Sequence, residues 1–168
     1  MSVHFTIRSY RKELSCISGK VDPLGVYEVD LEAIKKHRLS SDEVSFYSDV
    51  HSIQILRTYQ QEWLLDYGLT QHSFLFYDWA ISIYDGTGLE VVDGKTVGVM
   101  FNPAPILKVI NVLINAIDSL YNNHATEFSF DEERRRIAYE DEKKYLVLTK
   151  EILEDAVLND GIIGCFWD

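Results

Sequence analysis

Two prolines followed by a long aliphatic stripe constrain this chain more than any other feature in it. Pro103 and Pro105 halt a β-rich run, and Pro105 suits the first turn of a helix, where a missing N–H costs nothing. Beyond them Ile106, Val109, Ile110, Leu113, Ile117, Leu120 and Tyr121 recur at the three- and four-residue spacing of one helix face. The spacing predicts a helix over 105–121 with Val109, Leu113, Ile117 and Leu120 buried. So apolar a face has to lie on another element, and the rest of the chain offers a sheet.

The strands are signalled in clusters. Val3, Phe5 and Ile7 alternate with polar residues, as in a half-buried strand, and 26–29 reads as a short second one. Asp30 is placed to cap a short helix over 31–37, whose basic end suits a helix C-terminus. Asp49 is expected to open a further helix, because Ile53, Leu56, Gln60, Trp63 and Tyr67 keep helical spacing and Gly68 follows as a stop. Residues 74–85 are rich in aromatic and branched side chains. The turn signals Asp85-Gly86-Thr87-Gly88 and Asp93-Gly94 divide 74–102 into three strands.

Further on, 135–139 and 145–148 alternate like two strands around Glu140-Asp141-Glu142-Lys143. A hairpin is preferred there over a charged helix spanning 131–144. Thr149 would then cap a new helix over 150–158, and the apolar tail 161–167 adds a strand or docks against the body. Clustered strands with helices between them indicate an α+β fold rather than a regular βαβ alternation. A mixed or mainly antiparallel sheet is expected, packed against the 105–121 helix with additional shorter helices. At 168 residues the chain suits one globular domain over 1–168.

The net charge of −11 narrows the partners. Residues 49–94 hold seven carboxylates, Asp49, Glu62, Asp66, Asp78, Asp85, Glu90 and Asp93, against one cation, Arg57. Such a field repels phosphate backbones, so no nucleic-acid partner is expected. It attracts a basic protein and hastens the encounter. The longest apolar stretch, 103–121, is interrupted by Lys108, Asn111, Asn115 and Asp118, which argues against a membrane span of about 20 apolar residues. Residues 1–8 lack the apolar run of a signal peptide. Cys16 and Cys165 are far apart, as expected for reduced thiols, and a cytosolic location is the expectation.

No catalytic signature emerges. Gly94-Lys95-Thr96 suggests a phosphate loop, but that motif needs four residues between its glycines, and Gly88 and Gly94 enclose five. A helix should also follow, whereas 97–101 reads as a strand, so the segment is read as a hairpin turn. His4, His37, His51, His72 and His124 share no ligand spacing, and no cofactor or metal is expected. The run Glu151, Glu154, Asp155 lies among cations and reads as a solvated face. Eight aromatic residues fall within 59–84, interleaved with carboxylates. Rings beside carboxylates make binding hot spots for Lys- and Arg-bearing partners.

These features are read as those of a binding protein, although no sequence feature separates that reading cleanly from an enzyme. The compatible class is the bacterial immunity protein, an acidic inhibitor that neutralises a basic toxin, such as a nuclease, by covering its active site. Candidate contact residues are Asp66, Tyr67, Tyr77, Asp78 and Asp85, with Glu140, Asp141 and Glu142 as a second edge. The alternatives are an acidic chaperone or adaptor for a secreted protein, and an enzyme whose site assembles only in space.

Overall fold

The computed structural model describes residues 2–19, 25–49, 90–124 and 132–166. Within them the elements run β1 (Ser2–Arg11), β2 (Val26–Asp30), α1 (Leu31–Ile34), β3 (Arg38–Asp49), β4 (Glu90–Val92), β5 (Lys95–Phe101), α2 (Pro103–His124), α3 (Glu132–Leu158) and β6 (Gly161–Phe166). Single 3-10 turns occupy Leu14–Cys16 and Lys35–His37. The expected α+β class holds. The described strands form one six-stranded sheet of order β2-β5-β6-β1-β3, and every pairing in it is antiparallel. Val97 pairs with Asp30 of β2 and with Glu90 of β4, so these two strands flank β5 on opposite edges.

Strand alternation divides the core between the two faces of the sheet. On one face Ile7, Val44, Phe101 and Ile163 meet Ile106 and Ile110 of α2 and Leu146, Ile152, Leu153 and Ala156 of α3. On the other, Tyr10, Tyr27, Val29, Met100 and Ile162 pack with Cys16 and with Ile34 of α1. Gly98 lets α1 settle directly on β5, since a Cβ there would come within 2.5 Å of Leu31 Cδ2. The helical hairpin α2–α3, the sheet and the small α1 cover therefore form three layers.

Local chemistry explains most element ends. Asp30 caps α1 by accepting from the N–H groups of Glu32 and Ala33 at 3.1 and 3.0 Å. Asp93 and Gly94 both take positive φ, 50° and 76°, as the two-residue turn between twisted antiparallel strands requires. The Gly94-Lys95-Thr96 segment is thus the hairpin turn and strand start that its spacing indicated. Lys95 Nζ lies 3.3 Å from Asp30 Oδ2.

The structure corrects several boundaries. Helix α2 begins at Pro103 rather than Pro105, because Asn102 Oδ1 accepts from Ala104 N at 3.1 Å and caps it there. The side chains of Val109, Leu113, Ile117 and Leu120 lie outside the described residues, while Ile106 and Ile110 of the same stripe are buried. Residues 38–48, which carried no signal, form the edge strand β3. Asp49 is the last residue of that strand. The helix expected over 53–67, the 74–85 strand and the Asp85-Gly86-Thr87-Gly88 turn lie outside the described residues.

The largest correction concerns 132–158. The expected hairpin is one continuous helix of 27 residues, and Thr149 is a buried residue within it rather than a cap. The β-like run at 145–148 misled because four consecutive apolar residues fit a buried strand and a helix segment alike. Only over several turns does the 3.6 period show, with Tyr139, Leu146, Thr149, Leu153 and Ala156 on the inner side. Glu132 and Glu133 favour the start of the helix, where the backbone dipole is positive. The tail does add a strand, and it adds it in the middle of the sheet, between β5 and β1. That position explains why 161–164 are buried on both faces.

Candidate functional site

The outer side of α3 is a long exposed surface that mixes acidic and aliphatic side chains. Because α3 turns Tyr139, Leu146, Thr149, Leu153 and Ala156 inward, the opposite side carries Glu133, Ile137, Glu140, Lys144, Val147, Glu151, Glu154 and Leu158, all exposed. Four of these are carboxylates and one is a cation. Three are aliphatic, with Ile137 46%, Val147 39% and Leu158 83% exposed. Isolated apolar residues at a surface are ordinary. Here all three fall on the outer side of one helix, each with an acid a turn away.

The charges on this side are only partly compensated. Arg136 bridges Glu133 and Glu140 at 2.8 Å each, one helical turn either way. Lys150 Nζ approaches Glu154 Oε1 at 3.6 Å. Asp141 and Glu151 make no ion pair among the described residues and point to water. Solvent screens these exposed pairs, so each contributes little to stability. The arrangement sets exposed carboxylates beside exposed aliphatic side chains.

A clamp holds the α2–α3 hairpin behind this surface. Asp118 of α2 accepts from the Tyr139 hydroxyl and from Lys143 Nζ, the latter at 2.9 Å. These two donors hold the Asp118 carboxyl below the usual carboxylate range, the tyrosine contributing most. The same bond raises the Tyr139 hydroxyl, since losing its proton would set two anions together.

The opposite sheet face carries a second polar cluster with a different character. Arg8 Nε donates to Glu43 Oε2 at 2.8 Å, and Arg38 reaches the same oxygen at 3.8 Å. Their guanidinium groups lie over Phe166 and Tyr10, 5.5 and 5.8 Å from the ring centroids, and Lys12 lies 5.0 Å over Tyr27. Burial pushes the Tyr10 hydroxyl up, against the opposing pull of Arg38 and Arg8. These cations are folded onto rings of their own sheet, each contact worth roughly 0.5–1 kcal/mol at exposed sites. They seal the face where α1 does not reach.

Of the contact residues read from the sequence, Glu140 and Asp141 are exposed on α3, and the side chain of Glu142 lies outside the described residues. They belong to a helix side and not to an acidic turn. Asp66, Tyr67, Tyr77, Asp78 and Asp85 lie outside the described residues. Sequence reasoning missed Glu133, Ile137, Val147, Glu151, Glu154 and Leu158 as a set. Their steps of four and three residues are the available signal, which a strand reading of 135–148 conceals.

Among the described residues no cluster of three or more His, Cys, Asp or Glu could hold a metal ion, and no helix is long and apolar enough to cross a membrane. Comparison with protein-family models, with curated proteins and with solved structures gives no match.

Proposed function

We propose that this protein acts by binding a basic protein through its acidic surface, as an inhibitor of the immunity type that covers the active site of a basic toxin. The observation that carries the reading is the exposed side of α3, where Glu133, Glu140, Asp141, Glu151 and Glu154 flank Ile137, Val147 and Leu158. Carboxylates at that spacing steer a cationic surface in, and the aliphatic groups supply contact that excludes water once it arrives. The excess of acid in 49–94 adds to the same field, with Asp66, Tyr67, Tyr77, Asp78 and Asp85 as further contacts. A toxin that cleaves nucleic acid is cationic around its substrate groove, which makes it the partner class best matched by charge.

The test begins with a pull-down and turns on kinetics. The association rate of the captured partner should fall clearly between low and high salt, because the Debye length is about 8 Å at physiological ionic strength. Asp141→Lys with Glu151→Lys, and separately Asp66→Lys with Asp78→Lys, should slow association while circular dichroism stays unchanged. The partner should be harmful when expressed alone and harmless beside this protein. An acidic partner, or a rate indifferent to salt and to both charge reversals, overturns the reading.

A further inference from the structure

The sheet ends on one side at β3, and this strand is not built as an open edge. Among the described residues no strand lies beyond it. Between the pairs Arg8–Glu43 and Tyr10–Arg38, β1 advances by Ser9 alone, whereas β3 spends Leu39, Ser40, Ser41 and Asp42. Four residues of β3 therefore stand against one of β1. An ordinary bulge sets two against one, and even that bends the strand and breaks its ladder. Leu39 is partly buried against the helix-side core, while Ser41 and Asp42 are exposed.

Side chains hold the bulge in place. Arg38 Nε donates to the carbonyl of Ser40 at 3.1 Å, and Arg38 Nη2 donates to the carbonyl of Asp42 at 3.3 Å. The Ser40 hydroxyl oxygen accepts from the N–H of Asp42 at 3.0 Å. The guanidinium is itself set by the Tyr10 ring, 5.8 Å away at its centroid, and by Glu43. Two carbonyls and one N–H of the bulge are thus engaged within the chain. A strand that docks on a sheet edge is held by main-chain groups of this kind, offered in an unbroken row. At 39–42 the row is bent and its groups are already bonded. The far edge of the sheet is closed by other means, since Ile17 bridges Val29 of β2 and the Ser18 N–H donates to the Glu28 carbonyl at 2.8 Å.

We infer that the Arg38 clasp is a lock: it fixes the bulge in β3 and so keeps that edge of the sheet from pairing with β3 of a second copy. The lock needs nothing of the proposed binding role. A second copy is the strand met most often at high concentration, and edge-to-edge pairing of like sheets is the usual hazard of a long edge strand. Arg38 is a positioning residue here, and the shape of its head group matters. The planar fork reaches two carbonyls at once, whereas a lysine ammonium is a point donor.

Sedimentation of the full chain over a range of concentrations tests the lock. Arg38→Gln with Ser40→Ala removes the clasp and keeps the length of the strand. Deletion of Ser40, Ser41 and Asp42 restores one residue against one. At high concentration both should reach a mass about twice the parent's or more. Hydrogen exchange on the associated form should show the amides of 43–49 better protected than in the parent. Arg38→Lys should associate like the glutamine variant, because charge alone does not hold two carbonyls. Leu153→Ala is the control: it weakens the core without touching β3, and it should keep the parent's mass. If the deleted chain does not fold, the length-preserving variant decides alone. Variants that keep the parent's mass at every concentration overturn the inference. Equal association by Leu153→Ala also overturns it, because the cause would then be lost stability. Association that leaves the 43–49 amides unprotected overturns it as well, because another surface would then be pairing.

Discussion

Asp141→Pro separates a continuous α3 from a hairpin without touching the core. Asp141 is exposed and lies well inside the helix, so its replacement removes no buried contact. In the helix its N–H bonds the carbonyl of Ile137, four residues back. A proline there removes that bond and drives its ring into the same carbonyl, at a cost of about 3 kcal/mol or more. If 140–143 were instead the turn of a hairpin, position 141 would sit where a turn welcomes proline, and the change would be neutral or slightly stabilising. Domains of this size lose roughly 2–4 °C in Tm per kcal/mol, so the variant should melt about 6–12 °C lower. Asp141→Ala is the control, because it removes the same carboxylate while favouring the helix by a few tenths of a kcal/mol. Urea unfolding of the three proteins, compared at constant m, reads the difference directly. A proline variant within about half a kcal/mol of the parent would refute the continuous helix and the surface built on it.

Leu153 is fully buried where α3 meets the sheet, so Leu153→Ala should cost about 2–5 kcal/mol, whereas Val147→Ala on the outer side should stay within about half a kcal/mol. Similar losses in denaturant melts of both variants would show that the inner and outer sides are wrongly assigned. A Cβ at Gly161 would lie 2.7 Å from the carbonyl oxygen of Tyr10, so Gly161→Ala should destabilise by about 1–3 kcal/mol through displacement of β6, and a melting temperature like the parent's would contradict that approach. Asp30→Ala removes the carboxylate oxygen that accepts from two N–H groups at the start of α1 and should cost about 1 kcal/mol in the same assay, with no loss if the cap is idle. The folded Asp118 carboxyl is depressed, so the stability it lends is complete above the ordinary carboxylate pKa and is lost as pH falls through its lower folded value. The stability gap between the parent and Asp118→Asn should therefore narrow in strong acid, and a gap constant from neutral to acid pH would exclude the clamp.

Local chemistry makes part of this protein legible in its sequence. Asp30 as a cap, Asp93-Gly94 as a hairpin turn and the helix after Pro103 each depend on backbone geometry that neighbouring residues dictate, and each appears where its residues stand. Strands β1 and β2 are visible in part, from the alternating Val3, Phe5 and Ile7 and from the short run 26–29. The acidic character of the chain is likewise a property of composition alone.

Tertiary structure decided the rest. Strand β3 has little alternation to announce it, and Val44 finds its place only because β1 and α3 stand on either side to bury it. The tail could not reveal from its own residues that it would be an inner strand, since that follows from β5 and β1 each turning an edge toward it. For 132–158 the same residues satisfy a short strand pattern and a long helix pattern. The helix prevails because α2 and the sheet together offer one continuous groove into which Tyr139, Leu146, Leu153 and Ala156 can turn at once. That choice also created the candidate surface: carboxylates scattered along a sequence became a stripe only when packing on the inner side forced every third or fourth residue outward.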